Sequence, residues 1–192
     1  MPRLQVHVAG AKRAGKTTLA RKLMPFLEER GLHPVLLEVD EIKFKMFGSI
    51  DALPDTPESL RLHGLALEIM FNIEVPIVLA SGCIPLVVAT HSSPQDFERA
   101  KHLSEKTGSS LRFIVLEPPT LEEAAIRAAA AQTDDRSDMR DFAAPTIRES
   151  FLRSVEKIEA TYRGLADPRV RWIAQSGPET MAREALNFIL AE

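Results

Sequence analysis

Residues Gly10 to Thr18 read GAKRAGKTT, two glycines five positions apart closed by Lys-Thr-Thr, directly after the apolar run LQVHVA at Leu4 to Ala9. Gly10-x-x-x-x-Gly15-Lys16-Thr17 satisfies the Walker A pattern in full, with a strand before it and a helix after it. In such a loop the glycines let backbone N–H groups converge on phosphate oxygens, and the helix N-terminus adds partial positive charge. Lys16 is expected to reach the β- and γ-phosphates and the Thr17 hydroxyl to ligate Mg²⁺. Gly10, Ala11, Ala14, Gly15, Lys16, Thr17 and Thr18 are therefore the candidate ATP-binding residues. Lys12 and Arg13 inside the loop read as solvent-facing.

Working outward, β-like runs alternate with helical patterns. A helix is expected from about Lys16 to Arg30, with Leu19, Leu23, Phe26 and Leu27 on one face. Pro25 should kink it and Gly31 end it. Pro34 to Val39, PVLLEV, reads as a strand covered on both sides. After the loop DALPDTPES, with Thr56 as N-cap and Pro57 opening the helix, Leu60 to Ile73 is apolar almost all round and should be buried. Pro76 is expected to kink or split it. Further strands are read at Pro85 to Ala89, Leu111 to Leu116 and Val170 to Ala174. Helices are read from Ser93-Pro94 to Gly108, from the capping box Thr120-x-x-Glu123 to Ala131, through Ile147 to Tyr162, and from Pro178 to Ala191. Gln132 to Arg140, QTDDRSDMR, is nearly devoid of apolar residues. This alternation predicts one domain over residues 1–192. It is an α/β, three-layer P-loop NTPase fold, with a mostly parallel five-stranded sheet, helices on both faces and a short lid near residues 132–144.

Composition narrows the function classes. With 192 residues, 45% apolar residues and a net charge of −3, the chain carries no overall basic signature for nucleic acid. A single cysteine, Cys83, excludes an intramolecular disulfide and a cysteine-rich zinc site, and reads as a small buried hydrophobe. The first eight residues lack a long apolar core, and Val75 to Ala80 is too short to span a bilayer, so a cytoplasmic protein is expected. The GTPase string Asn-Lys-x-Asp is absent from the sequence, which favours ATP.

The second strand runs into LLEVDEIKF and puts Asp40 at the carboxyl edge of the sheet, where ligands bind in open α/β folds. Together, GAKRAGKTTLARKL, LLEVDEIK, ASGCIPLVVATHSSPQDFERA and FIVLEPPTLEEAAIR resemble the small P-loop kinases. That group includes adenylylsulfate kinase, chloramphenicol phosphotransferase and the kinase of 5′ polynucleotide ends. The resemblance covers about Leu4 to Arg127. It implies an ATP- and Mg²⁺-dependent transfer to a hydroxyl of a small-molecule acceptor, by a monomer or homodimer. It also implies that Asp40 holds the acceptor hydroxyl and acts as base or Mg²⁺ partner, so Thr17 and Asp40 are the metal candidates.

Two departures stand out. Where these kinases often carry Asp in the third strand, this chain has Val88. Where they begin the lid with two arginines four apart, Arg127 is followed by Ala131, leaving Arg136 and Arg140 to supply charge. Lys16, Asp40, Arg127 and Arg136 are the catalytic candidates. On the acceptor side they are Asp40, Arg61, His91 and Arg99, with Phe44 and Phe47 as possible walls and Ser93 as a helix cap. Arg61 and Arg99 enter through the resemblance. His7, His33, His63 and His102 show no ligand spacing and read as structural or exposed. Gln175 to Gly177 is expected to border the nucleotide base. The alternatives are a non-catalytic ATP-binding module and a polynucleotide 5′-kinase.

Overall fold

Alternation along the strands divides the core into two faces. In the computed structural model, which describes residues 3–47, 57–131 and 145–191, Val6 and Val8 of β1 (Arg3–Ala9) point to one side of the sheet. Gln5, His7 and Ala9 point to the other, as period-two geometry requires. The same alternation separates Leu86 and Val88 from Val87 in β3 (Ile84–Val88), and Ile114 and Leu116 from Phe113 and Val115 in β4 (Ser109–Leu116). With β2 (Pro34–Glu38) and β5 (Val170–Ile173) these form one parallel sheet in the order β2-β3-β1-β4-β5. The five-stranded α/β architecture expected from the sequence is present, and the described sheet is wholly parallel.

Helices cover both faces. α1 (Lys16–Glu28) lays Leu19, Leu23 and Leu27 against Val6, Val8 and Leu86, beside Met181, Ala185 and Ile189 of α8 (Pro178–Leu190). The opposite face is covered by α2 (Val39–Phe47), α3 (Pro57–Ile69), α4 (Val75–Ala80) and α5 (Pro94–Thr107). The end of α7 (Pro145–Tyr162) also packs there, whereas α6 (Leu121–Ala131) pairs with α7 through Ala124, Ala128 and Phe151.

Some local expectations are corrected. The second strand stops at Glu38, and Val39, which the sequence reading placed in the strand, already belongs to α2. Asp40 and Glu41 fill the first turn of α2 and Lys45 its last, the charge order that favours a helix. Pro25 lies inside α1, where the sequence placed it. Pro76, expected to kink or split its helix, does not split it: α3 passes into α4 through a π-turn at Met70–Glu74. Proline lacks an N–H and its ring clashes with the carbonyl four residues back, so a widened turn just before Pro76 relieves both problems. The continuous helix, Arg61–Ala80, is apolar and long enough to cross a bilayer by length and composition, unlike the short run Val75–Ala80 taken alone. Its Met70, Phe71, Val75 and Leu79 are buried against the sheet. Cys83 is partly exposed rather than buried, in the turn before β3.

Candidate active site

Parallel register brings the carboxyl ends of β1 and β3 together, and the glycine loop leaves the sheet there. Gly10 N–H donates to Thr90 O (3.3 Å) and Ala14 N–H to Ala11 O (3.2 Å), closing the loop on itself. Gly10 (φ 152°) and Gly15 (φ 89°) adopt backbone angles that L side chains rarely take, and Arg13 is left-handed as well, at φ 62°. A Cβ on Gly10 would meet Leu116 Cβ at 3.2 Å and Ala14 Cβ at 3.3 Å, so this glycine also serves packing. At Gly15 such an atom would meet nothing within 4 Å. Conformation alone demands glycine at that position. Lys16 Nζ donates to the Gly10 and Ala11 carbonyls at 3.1 and 2.9 Å. Burial pulls its pKa down to about 8, against the favourable field of Asp40. A half-buried cation folded over its own loop is a group that an incoming anion would stabilise. Thr17 beside it is half-buried and Thr18 exposed.

Asp40 lies in the first turn of α2, with Lys43 Nζ 2.9 Å from its Oδ1. The Asp40 side chain is exposed; against the partial desolvation that its neighbours impose, Lys43, Lys16 and His63 together hold the carboxyl below its ordinary value. His63 on α3 is half-buried beside the same group, and desolvation followed by the Lys43 charge pulls it down to about 4. Its field also includes Asp96 and Lys12. Sequence reasoning left His63 as structural and missed Lys43 and Asp96. The one available signal was that Lys43 sits at i+3 from Asp40, a helical pairing invisible while no helix was read there. Asp96 is fixed by the capping box of α5, where Ser93 N–H donates to Asp96 Oδ2 (3.1 Å). Ser93 thus takes the capping role expected of it.

His91 follows β3 in a left-handed conformation (φ 49°) and is buried, with neither ring nitrogen bonded among the described residues. Its carbonyl accepts a 2.7 Å hydrogen bond from the Tyr162 hydroxyl, which links the end of α7 to this loop. The ring lies 5.4 Å from that of His7, itself sandwiched between Phe71 and Phe113 at 5.7 and 5.6 Å. Burial first, then the Lys16 charge, pulls His91 down to about 3, and burial keeps His7 well below its usual value. A stability consequence follows. Between an unfolded pKa near 6.5 and these depressed folded values, only the unfolded chain takes up protons, so stability falls as pH drops through that window. Unfolding in urea should show His91 alone costing about 2 kcal/mol between pH 7 and 5, above the range where carboxylates titrate. His91→Asn, which tolerates the left-handed backbone, should flatten that slope. An unchanged slope would refute the assignment.

Arg127 of α6 is half-buried and docks on the loop, donating to Arg13 O and to Gln175 Oε1, both at 3.0 Å. Gln175 in turn donates to Ala14 O (3.3 Å) and to Glu117 O. The segment expected near the base is thereby tied to the glycine loop. Val88 is buried within the α1 side of the core. Arg61 is exposed on α3, and Arg99 pairs with Glu68 at 3.0 Å on an exposed part of α5. Neither has a described contact with Lys16 or Asp40. Phe44 is largely exposed; the Phe47 side chain, Thr56, Arg136, Arg140 and the lid at 132–144 lie outside the described residues. His33 and His102 are exposed. Among the described residues, no group of three or more His, Cys, Asp or Glu side chains is placed to hold a metal.

Solved structures share this architecture along the whole chain. The APS kinase of Mycobacterium tuberculosis, in complex with AMPPNP and APS, matches with a TM-score of 0.65 at 14% identity, covering 100% of both chains. Shikimate kinase from Acinetobacter baumannii, in complex with shikimate, matches at 0.63 and 15% identity, covering 97% of this chain and 93% of that one. A sugar kinase from Janibacter sp. matches at 0.61 and 20% identity, covering 98% and 96%. The chain has the fold of the small P-loop kinases, the class that its motif order resembles. No protein-family model and no curated protein matches it by sequence.

Proposed function

We propose that the protein is an ATP- and Mg²⁺-dependent phosphotransferase that moves the γ-phosphoryl group to a hydroxyl of a small molecule. One observation carries this reading: Lys16 heads α1 directly after β1 and its glycine loop, and Asp40 heads α2 directly after β2, so both stand at the carboxyl edge of one parallel sheet. A phosphate-seeking cation therefore neighbours a carboxylate able to orient a hydroxyl. When bound, ATP supplies the phosphoryl group and Mg²⁺ neutralises its charge.

The chain's own part is positioning. Backbone N–H groups of Gly10 to Thr18 hold phosphate oxygens, with Lys16 released from the Gly10 and Ala11 carbonyls to join them. Thr17 and Asp40 hold the metal, with two protein oxygens that suit an ion keeping most of its waters. Asp40 accepts the hydrogen bond of the acceptor hydroxyl. Arg127, and Arg136 across the lid, add positive charge over the phosphates. Lys43 and His63 join Arg61, His91 and Arg99 as acceptor-side groups. The small acceptors in the APS kinase and shikimate kinase complexes support a small-molecule substrate, as does the net charge of −3. A cytoplasmic setting suits the lone free thiol.

A non-catalytic ATP-binding module is the competing reading, favoured by Val88 packing where the resembled kinases often carry a carboxylate. A screen for ADP release over hydroxylated metabolites, with ATP and GTP in parallel, separates them. Acceptor-dependent release supports the kinase. Nucleotide binding without release across the screen supports the module, and phosphorylation of an oligonucleotide 5′ end would indicate a polynucleotide kinase.

A further inference from the structure

The two edges of the sheet are treated differently. At β5, Arg169 and Arg171 lie beside and within the strand, and the Arg163 guanidinium sits 4.3 Å from the centre of the Trp172 ring. Charge spread along an edge discourages strand addition. At β2 the strand reads PVLLE, and its Val35, Leu36 and Leu37 are only half-buried. Ile84 N–H donates to His33 O (2.8 Å), and the register pairs Leu36 with Leu86. Parallel-ladder alternation therefore turns the Leu36 and Glu38 peptide groups away from β3, toward an edge that no described strand covers. A groove of about 330 Å³ runs there, its lining including Arg21, Leu36, Glu38, Glu41, Lys45 and Glu74. Glu38 Oε1 is buried without a hydrogen-bond partner among the described residues.

The π-turn adds a second, independent observation. In an uninterrupted α-helix, Ile73 and Ile77 would continue the buried row of Ala66 and Met70, at i+7 and i+11 from Ala66. The widened turn hands that row to Val75, Val78 and Leu79. Ile73 and Ile77 are turned out, 52% and 63% exposed, flanking the Glu74 that lines the groove. An apolar pair adjoining an open strand edge marks an interaction surface.

We propose that the β2 edge, its groove and the Ile73–Ile77 pair form an interface with a second copy of this chain, about a two-fold axis at Leu36. Two-fold pairing of one strand with itself is antiparallel. Leu36 is the middle of the five residues, so its N–H and C=O exchange two hydrogen bonds with Leu36 of the second copy. Glu38 N–H then donates to the Pro34 carbonyl across the axis, a position where proline's missing N–H costs a single bond on each side. The groove holds both signs of charge, Arg21 and Lys45 with Glu38, Glu41 and Glu74. A patch that must complement itself requires this, and a cation of the second copy meets the orphaned Glu38 oxygen.

Light scattering of the full chain from about 1 to 100 µM is expected to show a concentration-dependent rise to twice 21.3 kDa. Ile73→Glu with Ile77→Glu alters only exposed side chains, so the melting temperature of the dilute, monomeric chain should hold while dimer dissociation shifts at least ~30-fold. Hydrogen exchange at the Leu36 amide should slow as the wild-type concentration rises and stay fast in the double variant. A monomer throughout the range would overturn the proposal. So would a dimer indifferent to the isoleucine changes, or a monomeric chain that captures a different protein's strand at this edge.

Discussion

Lys16→Met is expected to lower turnover about 10³-fold and weaken nucleotide binding about 10- to 100-fold, with the nucleotide-free fold no less stable than wild type. The last part separates this change from ordinary damage. The Lys16 ammonium is held by two backbone carbonyls and partly stripped of water, which is why its pKa falls to about 8. Methionine keeps the stem and removes the desolvated charge. Melting curves with and without ATP should show the wild type shifting upward and the variant hardly responding. The same depression predicts a pH signature. Phosphate binding needs the protonated amine, so affinity should be flat below pH 8 and weaken by up to about tenfold per pH unit above it. Calorimetric titrations across pH 7 to 9.5 test this, and an affinity independent of pH would remove Lys16 from the phosphate site.

How far the site could be read in the sequence depended on whether its parts were local. The glycine loop was legible because Gly10, Gly15, Lys16 and Thr17 are contiguous and sit between a strand and a helix pattern. The sheet was legible because each buried strand is a short apolar run between turn signals. α2 was not, because VLLEV flows into DEIKF with no break in hydrophobicity, and only the acidic pair Asp40-Glu41 hinted at a helix start. Once α2 is a helix, Lys43 falls beside Asp40, and α3 packing on α2 brings in His63. That step no spacing rule could supply. The Arg127–Gln175 contact spans 48 residues and exists only because the segment after β5 returns to the loop. Pro76 shows the opposite case, in which a strong local rule flagged strain that the helix took up without splitting. Helical packing on the sheet outweighed the break, and a π-turn absorbed the misfit.

These placements bear on what Asp40 can do. A carboxyl held below its ordinary value by Lys43 and Lys16 is ionised throughout the neutral range and is a weak base. Phosphoryl transfer through a loose transition state asks little of a base and much of alignment. Asp40 therefore acts chiefly by orienting the acceptor hydroxyl. Asp40→Asn should lower turnover about 10²- to 10³-fold while changing nucleotide affinity only about threefold or less. Asparagine preserves shape and loses the charge, so Lys43 is left without its partner at 2.9 Å and the acceptor loses its acceptor oxygen. The rate should also show no limb from Asp40 between pH 5 and 7. In Lys43→Met, where the supporting cation is gone, the carboxyl rises toward its ordinary value and the acid limb should move up with it. Turnover unchanged in Asp40→Asn would shift the acceptor site elsewhere on the sheet edge. A turnover loss matched by an equal loss of ATP affinity would recast Asp40 as a nucleotide or metal ligand alone.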